Sequence, residues 1–181
     1  MLLVPTKIEG AFEVRPQVRS DARGRFRRTW CESAFAEAGI GARWVQMNHS
    51  VTLGMGSARG LHFQRPPHAE DKLVSCTQGR AFDVAVDLRR GSPTFLQWAA
   101  VEIGEGASFL IPKGCAHGFQ TLEEETHLVY LHSHAYTPEA EGGLRLDDPV
   151  IGISWPLPLA NLSERDRAFP LLTPDFEGLD P

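Results

Sequence analysis

An all-β fold, a sandwich or small barrel, is what this sequence predicts, and three observations predict it. Thirteen prolines and 17 glycines cut the 181 residues into short pieces. About eight short strands follow one another in succession. Turn chemistry such as Arg90-Gly91-Ser92-Pro93 and Pro112-Lys113-Gly114 separates them. A 42% apolar and 23% charged composition supplies one core, and neither a repeat nor a linker divides the chain, so residues 1–181 are read as one domain.

Phe12–Arg15 and Gly24–Trp30 are the first expected strands. Glu32–Gly39 is a helix, built of good helix formers and ended by Gly39. Strands then follow at Trp44–Ser50, Ala58–Gln64, Lys72–Thr77 and, after the Gln78-Gly79 turn, Ala81–Leu88. Four more are expected at Phe95–Ile103, Ser108–Ile111, Gly118–Leu122 and His127–Ser133. Beyond Pro156 the strand signal fades. Ser163 caps a short helix there, and residues 168–181 are expected to form a flexible tail.

A net charge of −5 argues against a nucleic-acid binder, although Arg23, Arg25, Arg27 and Arg28 could meet a small anion. No apolar run approaches the ~20 residues of a bilayer span, and the first residues lack the basic leader of a signal sequence. Cys31, Cys76 and Cys115 are odd in number and far apart, which reads as reduced thiols in a cytoplasmic protein. No neighbour in sequence is built to lower a thiol pKa.

The chemistry-bearing stretch is Arg59-Gly60-Leu61-His62-Phe63-Gln64. Strand alternation sets Arg59, Leu61 and Phe63 on one face and Gly60, His62 and Gln64 on the other. Taken alone, His62 reads more readily as a core histidine than as a proton-transfer group. A second stretch, Pro112-Lys113-Gly114-Cys115-Ala116-His117, turns sharply and delivers another histidine. This pattern resembles the second motif of the cupins, which implies a jelly roll (a double-stranded β-helix) with a few short peripheral helices. Metal-binding cupins pair two histidines as His-x-His, whereas here Gln64 stands two residues after His62. Two imidazoles and a distant carboxylate are a poor divalent site, so no metal or other cofactor is expected. His132-x-His134 is read as an exposed pair on a strand.

The wider order of motifs is more specific. It runs through Asp21-Ala22-Arg23-Gly24-Arg25-Phe26, Gln46-Met47-Asn48-His49-Ser50, Arg59 to Gln64, Lys72-Leu73-Val74 and Phe82 to Arg89. Ile111 to Phe119, Tyr130, Tyr136, Glu141, Ile153-Ser154-Trp155-Pro156 and Leu162 to Asp166 complete it. From near its start to Asp166 the chain resembles the dTDP-4-dehydrorhamnose 3,5-epimerase family.

The resemblance implies an isomerase acting on a nucleotide-linked 4-keto-6-deoxyhexose. The C–H bonds at C3 and C5 flank the ketone and are acidic; inverting either centre needs a base, an acid on the opposite face and a stabiliser for the enolate. By resemblance His62 is the base, Asp166 orients it, Tyr130 is the acid and Lys72 faces the C4 oxygen. Arg23 and Arg59 match phosphate contacts, Gln46, Asn48, His117 and Glu141 line the sugar and phosphate pocket, and Phe26 and Tyr136 stack on the base. Family members are dimers that exchange an N-terminal strand, which implies that Arg23 and Phe26 serve the neighbouring subunit's site. Asp83, alone in an apolar strand, is expected to be buried and hydrogen-bonded.

One departure concerns the base. The family places a glutamate two residues beyond the Phe26 position, where it accepts from thymine; here Arg28 stands there, and arginine only donates. A ketoisomerase, a single-centre epimerase and a non-catalytic nucleotide-sugar binder remain the alternatives to a 3,5-epimerase.

Overall fold

The computed structural model describes residues 1–104 and 106–181. Its strands are β1 (Leu2–Pro5), β2 (Phe12–Arg15), β3 (Val18–Asp21), β4 (Gly24–Arg27), β5 (Gln46–Leu53), β6 (Ala58–Gln64), β7 (Lys72–Gln78) and β8 (Ala81–Asp87). They continue with β9 (Trp98–Ile103), β10 (Ser108–Ile111), β11 (Cys115–Thr121), β12 (Glu125–His132) and β13 (Glu141–Gly143). Two short α-helices accompany them, α1 (Glu32–Glu37) and α2 (Glu164–Ala168).

Two antiparallel sheets face each other, as the jelly-roll expectation requires. One has the order β1-β2-β10-β7-β12-β5 and the other β13-β6-β11-β8-β9. Between them lies a core that draws Val74, Phe109 and Leu128 from the first sheet and Ala85, Val101 and Phe119 from the second. Phe35 of α1 packs with Leu73 and Leu110 on the outside of the six-stranded sheet. The outer face of the five-stranded sheet is covered by the C-terminal third of the chain, where Leu144, Leu146, Ile151 and Trp155 meet Leu61, Val84 and Val86. Coverage on both faces explains why β11 is buried along its whole length and why Ala81–Asp87 reads as an apolar run without alternation.

The expected tail is docked. Leu172, Phe176 and Leu179 pack on the outer apolar cluster, and Phe176 stacks on Phe95 with ring centroids 6.0 Å apart. Leu179 donates to the Leu88 carbonyl at 2.7 Å and accepts from the Arg90 N–H at 2.8 Å. Its few apolar side chains cover a sheet face that would otherwise meet water, which outweighs the weak local propensity that predicted a flexible segment.

Other differences are local. Residues expected to begin a strand at Phe95 turn instead, with Leu96 at φ 61°, and β9 starts at Trp98. The strand expected from Gly118 already begins at Cys115. Strands β1, β3 and β13 carried no sequence signal of their own. Among the described residues β3 pairs only with β4, forming a two-stranded ribbon apart from both sheets.

Candidate active site

The site is built at one end of the space between the sheets, from β6 and β11 on one side and β5, β7 and β12 on the other. Its first determinant is a bulge in β6. Arg59 lies opposite Phe119 and His62 opposite His117, so β6 advances three residues while β11 advances two. The expected alternation is therefore broken: Arg59 and His62 face the same cavity, while Leu61 goes into the outer core. Gly60 makes this possible. It has φ +129°, and a Cβ there would sit 2.5 Å from the Gly118 Cα.

His62 Nε2 meets Asp166 Oδ1 at 2.8 Å, and the His62 ring packs edge-on against Phe169. Asp166 arrives from α2, whose first turn is fixed by the Asp166 N–H donating to Ser163 Oγ at 3.0 Å, the expected cap. Its other oxygen accepts from the Gly60 N–H at 3.4 Å. Burial alone would raise this carboxyl, but the bonds from His62, Gly60 and Ser163 hold it below the usual carboxylate value. Asp166 is thus an anion against the imidazole, leaving the other ring nitrogen to exchange a proton.

The opposite wall carries Tyr130 on β12, hydrogen-bonded to Ser50 Oγ at 3.1 Å. Burial pushes its phenol above the ordinary value, so it holds its proton and can only be an acid at neutral pH. Lys72 lies beside it on β7, 8% exposed, with Nζ 3.2 Å from Glu70 Oε1. On the β11 side, His117 Nε2 is 2.6 Å from Asp83 Oδ1, and both are buried. Burial lowers the imidazole and raises the carboxyl, both of which favour the uncharged pair sharing one proton. Asp83 has the buried, hydrogen-bonded place expected of it.

Together these groups line a cavity of about 300 Å³. Arg59, His62, Lys72, His117 and Tyr130 reach it, as do Asn48, Tyr136 and Glu141 nearer the mouth. Gln46 stands behind this rim, bonded to Asn48 and to the Tyr136 N–H. Among the described residues no group of three or more His, Cys, Asp or Glu is arranged to hold a metal ion.

Arg23, Phe26 and Arg28 are not brought to this cavity within the chain. They lie on or beside the β3–β4 ribbon: Phe26 is 69% exposed, Arg23 pairs with Asp21 at 2.7 Å and Arg28 reaches Cys31 Sγ at 3.4 Å. The Cys31 thiol, bonded to Ser33 and the Ala34 N–H and facing Arg28, falls to about 7, which local sequence gave no reason to expect. Burial moves the other two the opposite way, Cys76 to about 11 and Cys115 to about 12.

Glu70 and His132 are among the cavity residues that the sequence did not point to. His132, expected as half of an exposed pair on a strand, is half-buried and lines the cavity, because β12 lies between β5 and β7. His134 is likewise half-buried, edge-on to His68. Glu70, 9% exposed, bonds His132 Nδ1 at 2.9 Å. The available signal was spacing: His132 is two residues from Tyr130 and Glu70 two from Lys72, which puts each pair on one side of an extended chain.

Comparison with known proteins identifies the family. The sequence model described as dTDP-4-dehydrorhamnose 3,5-epimerase matches residues 5–174. The chain belongs to that family. It is thereby an isomerase, a sugar epimerase on a cupin jelly roll. The dTDP-4-dehydrorhamnose 3,5-epimerase of Sinorhizobium fredii is 43% identical over 166 residues, covering 88% of this chain and 83% of the relative. A solved 4-keto-6-deoxy sugar epimerase from the novobiocin gene cluster of Streptomyces spheroides superposes with a TM-score of 0.90 at 39% identity, over 94% of this chain and 87% of that one. A 3'-monoepimerase from Streptomyces bikiniensis, solved with dTDP-quinovose, gives a TM-score of 0.85 at 34% identity, over 92% of this chain and 86% of that one.

Proposed function

We propose that this epimerase inverts C3, C5 or both in a dTDP-linked 4-keto-6-deoxyhexose, in deoxysugar biosynthesis, by acid–base chemistry through an enolate. The observation that carries the reading is the opposition, across one cavity, of His62 on one sheet, backed by Asp166 of α2, to Tyr130 with Lys72 on the other sheet. His62 takes the proton next to the ketone, and the electron pair moves onto the C4 oxygen. Lys72 meets that oxygen with positive charge, and Tyr130 returns a proton to the opposite face of the carbon. Asp166 orients His62 and stabilises its charged form.

Arg59 is assigned to the diphosphate, which a guanidinium fork suits, and Gln46, Asn48, His117 and Glu141 to the sugar and phosphates. Tyr136 is assigned to one face of the base. Arg23, Phe26 and Arg28 are assigned to the site of a second subunit in a homodimer. Support comes from the ribbon that carries them, which joins neither sheet, and from exposed Met47, Val51 and Leu53 along β5, an open sheet edge. Three free cysteines support a cytoplasmic protein.

Incubation with dTDP-4-keto-6-deoxyglucose in deuterated water tests the reading. Deuterium is expected at C3, C5 or both, and the positions labelled separate a 3,5-epimerase from a single-centre enzyme, a kind that occurs among the solved relatives. Label at neither carbon rejects the proposal.

A further inference from the structure

A hydrogen-bonded chain runs from the mouth of the cavity to Lys72, and its direction is forced. The Tyr136 N–H can only donate, so the oxygen it meets at 2.9 Å is Gln46 Oε1. The Gln46 amide then donates to Asn48 Oδ1 at 3.2 Å. That leaves Asn48 Nδ2 facing His132 Nε2 at 3.2 Å, a contact that works only if Nε2 carries a lone pair. The ring proton is therefore on Nδ1, which donates to Glu70 Oε2 at 2.9 Å. From the other end the Lys72 ammonium, which also only donates, meets Glu70 Oε1 at 3.2 Å. The inner links are nearly dry: the Glu70, Lys72 and His132 side chains are 7%, 10% and 12% exposed. Register keeps them together, since His132 lies opposite Lys72 on one side and Gln46 on the other.

From this geometry we infer that Glu70 and His132 are positioning residues, which hold the Lys72 ammonium and the Asn48 amide in their working orientations. The inference rests on the reading of Lys72 as the enolate stabiliser. Glu70 fixes where the ammonium sits, and His132 fixes Glu70. Through Nε2 the same ring also sets which way Asn48 points, so the sugar-facing rim and the enolate-facing cation share one support. Protonating His132 would place an N–H against the Asn48 N–H₂, two donors; Asn48 would have to turn over and release Gln46. The ionisable groups around that ring are Glu70 and Lys72 from the β7 side and Tyr130 stacked on it from β12, with His62 and Glu141 across the cavity. Its β5 neighbours, Gln46 and Asn48, are neutral.

His132→Gln keeps the pattern, an acceptor for Asn48 and a donor for Glu70, but cannot take up a proton; His132→Leu removes both. The measurements are long-range 1H–15N spectra of the wild-type imidazole, melting temperature, and kcat and KM across pH. At pH 8 the expected wild-type tautomer carries its proton on Nδ1. His132→Leu and Glu70→Gln should each lower kcat by about tenfold or more, the scale of one charge-assisted hydrogen bond. His132→Gln should recover kcat to within about threefold of wild type, the mark of a support that needs the bonds rather than the ring. Its KM should also change less than the wild-type KM as the pH is lowered, because the substituted side chain takes up no proton. An Nε2–H tautomer, a His132→Leu enzyme with wild-type kcat and KM, or a folded His132→Gln as impaired as His132→Leu would overturn the inference. A wild-type enzyme that exchanges no deuterium overturns the functional reading itself, whatever the tautomer, so the two failures are distinguishable.

Discussion

Asp166 shows how much one side chain can be asked to do. It fixes His62, accepts from the Gly60 N–H at the bulge, and closes the first turn of α2 through its own N–H to Ser163. Because its folded-state pKa lies below the usual 3.8, the carboxylate stabilises the fold above about pH 4, and that contribution is lost as the pH falls through the lower folded value. In Asp166→Asn the shape survives, but the amide no longer stabilises a protonated His62 and can hold the wrong tautomer. A fall in kcat of about a thousandfold is expected with little change in KM, read by the rate of deuterium incorporation. A loss below tenfold would remove Asp166 from its assigned role. At this scale legibility was uneven. The Ser163 cap was local and could be read directly, whereas Asp166 is 104 residues from His62 and only the resemblance joined them. Glu70 and His132 went unpaired because their meeting depends on how β7 and β12 align, which no local pattern records.

Elements were legible where burial was one-sided or turns were punctuated, and illegible where another part of the chain supplied the burial. β2, β6 and β10 were expected with the bounds they have, each a short stretch set between a glycine and a proline. Inside β6, though, the bulge reversed the face of Arg59, because simple alternation assumes that a strand gains no extra residue. The docking of the tail has no local signal, since its few apolar residues find their partners on β8 and its neighbours, far earlier in the chain. The connection after β8 shows the energetics of such a junction. Asp87 is fully buried at the strand end and takes bonds from Arg89 Nε and Nη2, both at 2.8 Å, and from Ser92 and Thr94 hydroxyls, both at 2.6 Å. Burial would raise its pKa, but these donors outweigh it and hold the carboxyl at about 2. The stabilisation is therefore complete above the ordinary carboxylate value of 3.8 and is lost as pH falls towards about 2. Asp87→Asn is expected to cost between about 1 and 2 kcal/mol at neutral pH, after allowing for partial screening. Urea titration at pH 7 and at pH 2.5 checks it: the gap between wild type and variant should narrow at the lower pH, and an equal gap at both would show that the charge is not what stabilises this turn.

At the scale of the whole molecule, one subunit does not bring its assigned parts to one place. His62, Lys72, Tyr130 and Asp166 converge, while Phe26 and Arg28 stand on a ribbon that borders a different cleft, with Arg19 and Cys31. If the ribbon meets the base as proposed, it must do so in a second copy of the chain, and a shared site makes a quantitative prediction. Let one variant, His62→Asn, lack the base but keep the ribbon, and let another, Arg23→Ala with Phe26→Ala, lack the ribbon contacts but keep the base. Each homodimer then has two defective sites. In a mixed dimer, the chain with intact His62 meets the intact ribbon of its partner, so one of two sites is whole. Random reassociation of equal amounts yields mixed dimers as about half of the total, so about a quarter of wild-type activity should return. Native mass spectrometry, which resolves the mixed dimer from both homodimers by mass, establishes that subunits have exchanged, and the deuterium assay measures the recovery. If the ribbon instead served its own subunit, every chain in the mixture would carry a defect in its own site. Activity would then stay at the sum of the two variants however long the subunits exchanged, and the assignment of Arg23 and Phe26 to a partner's site would fall.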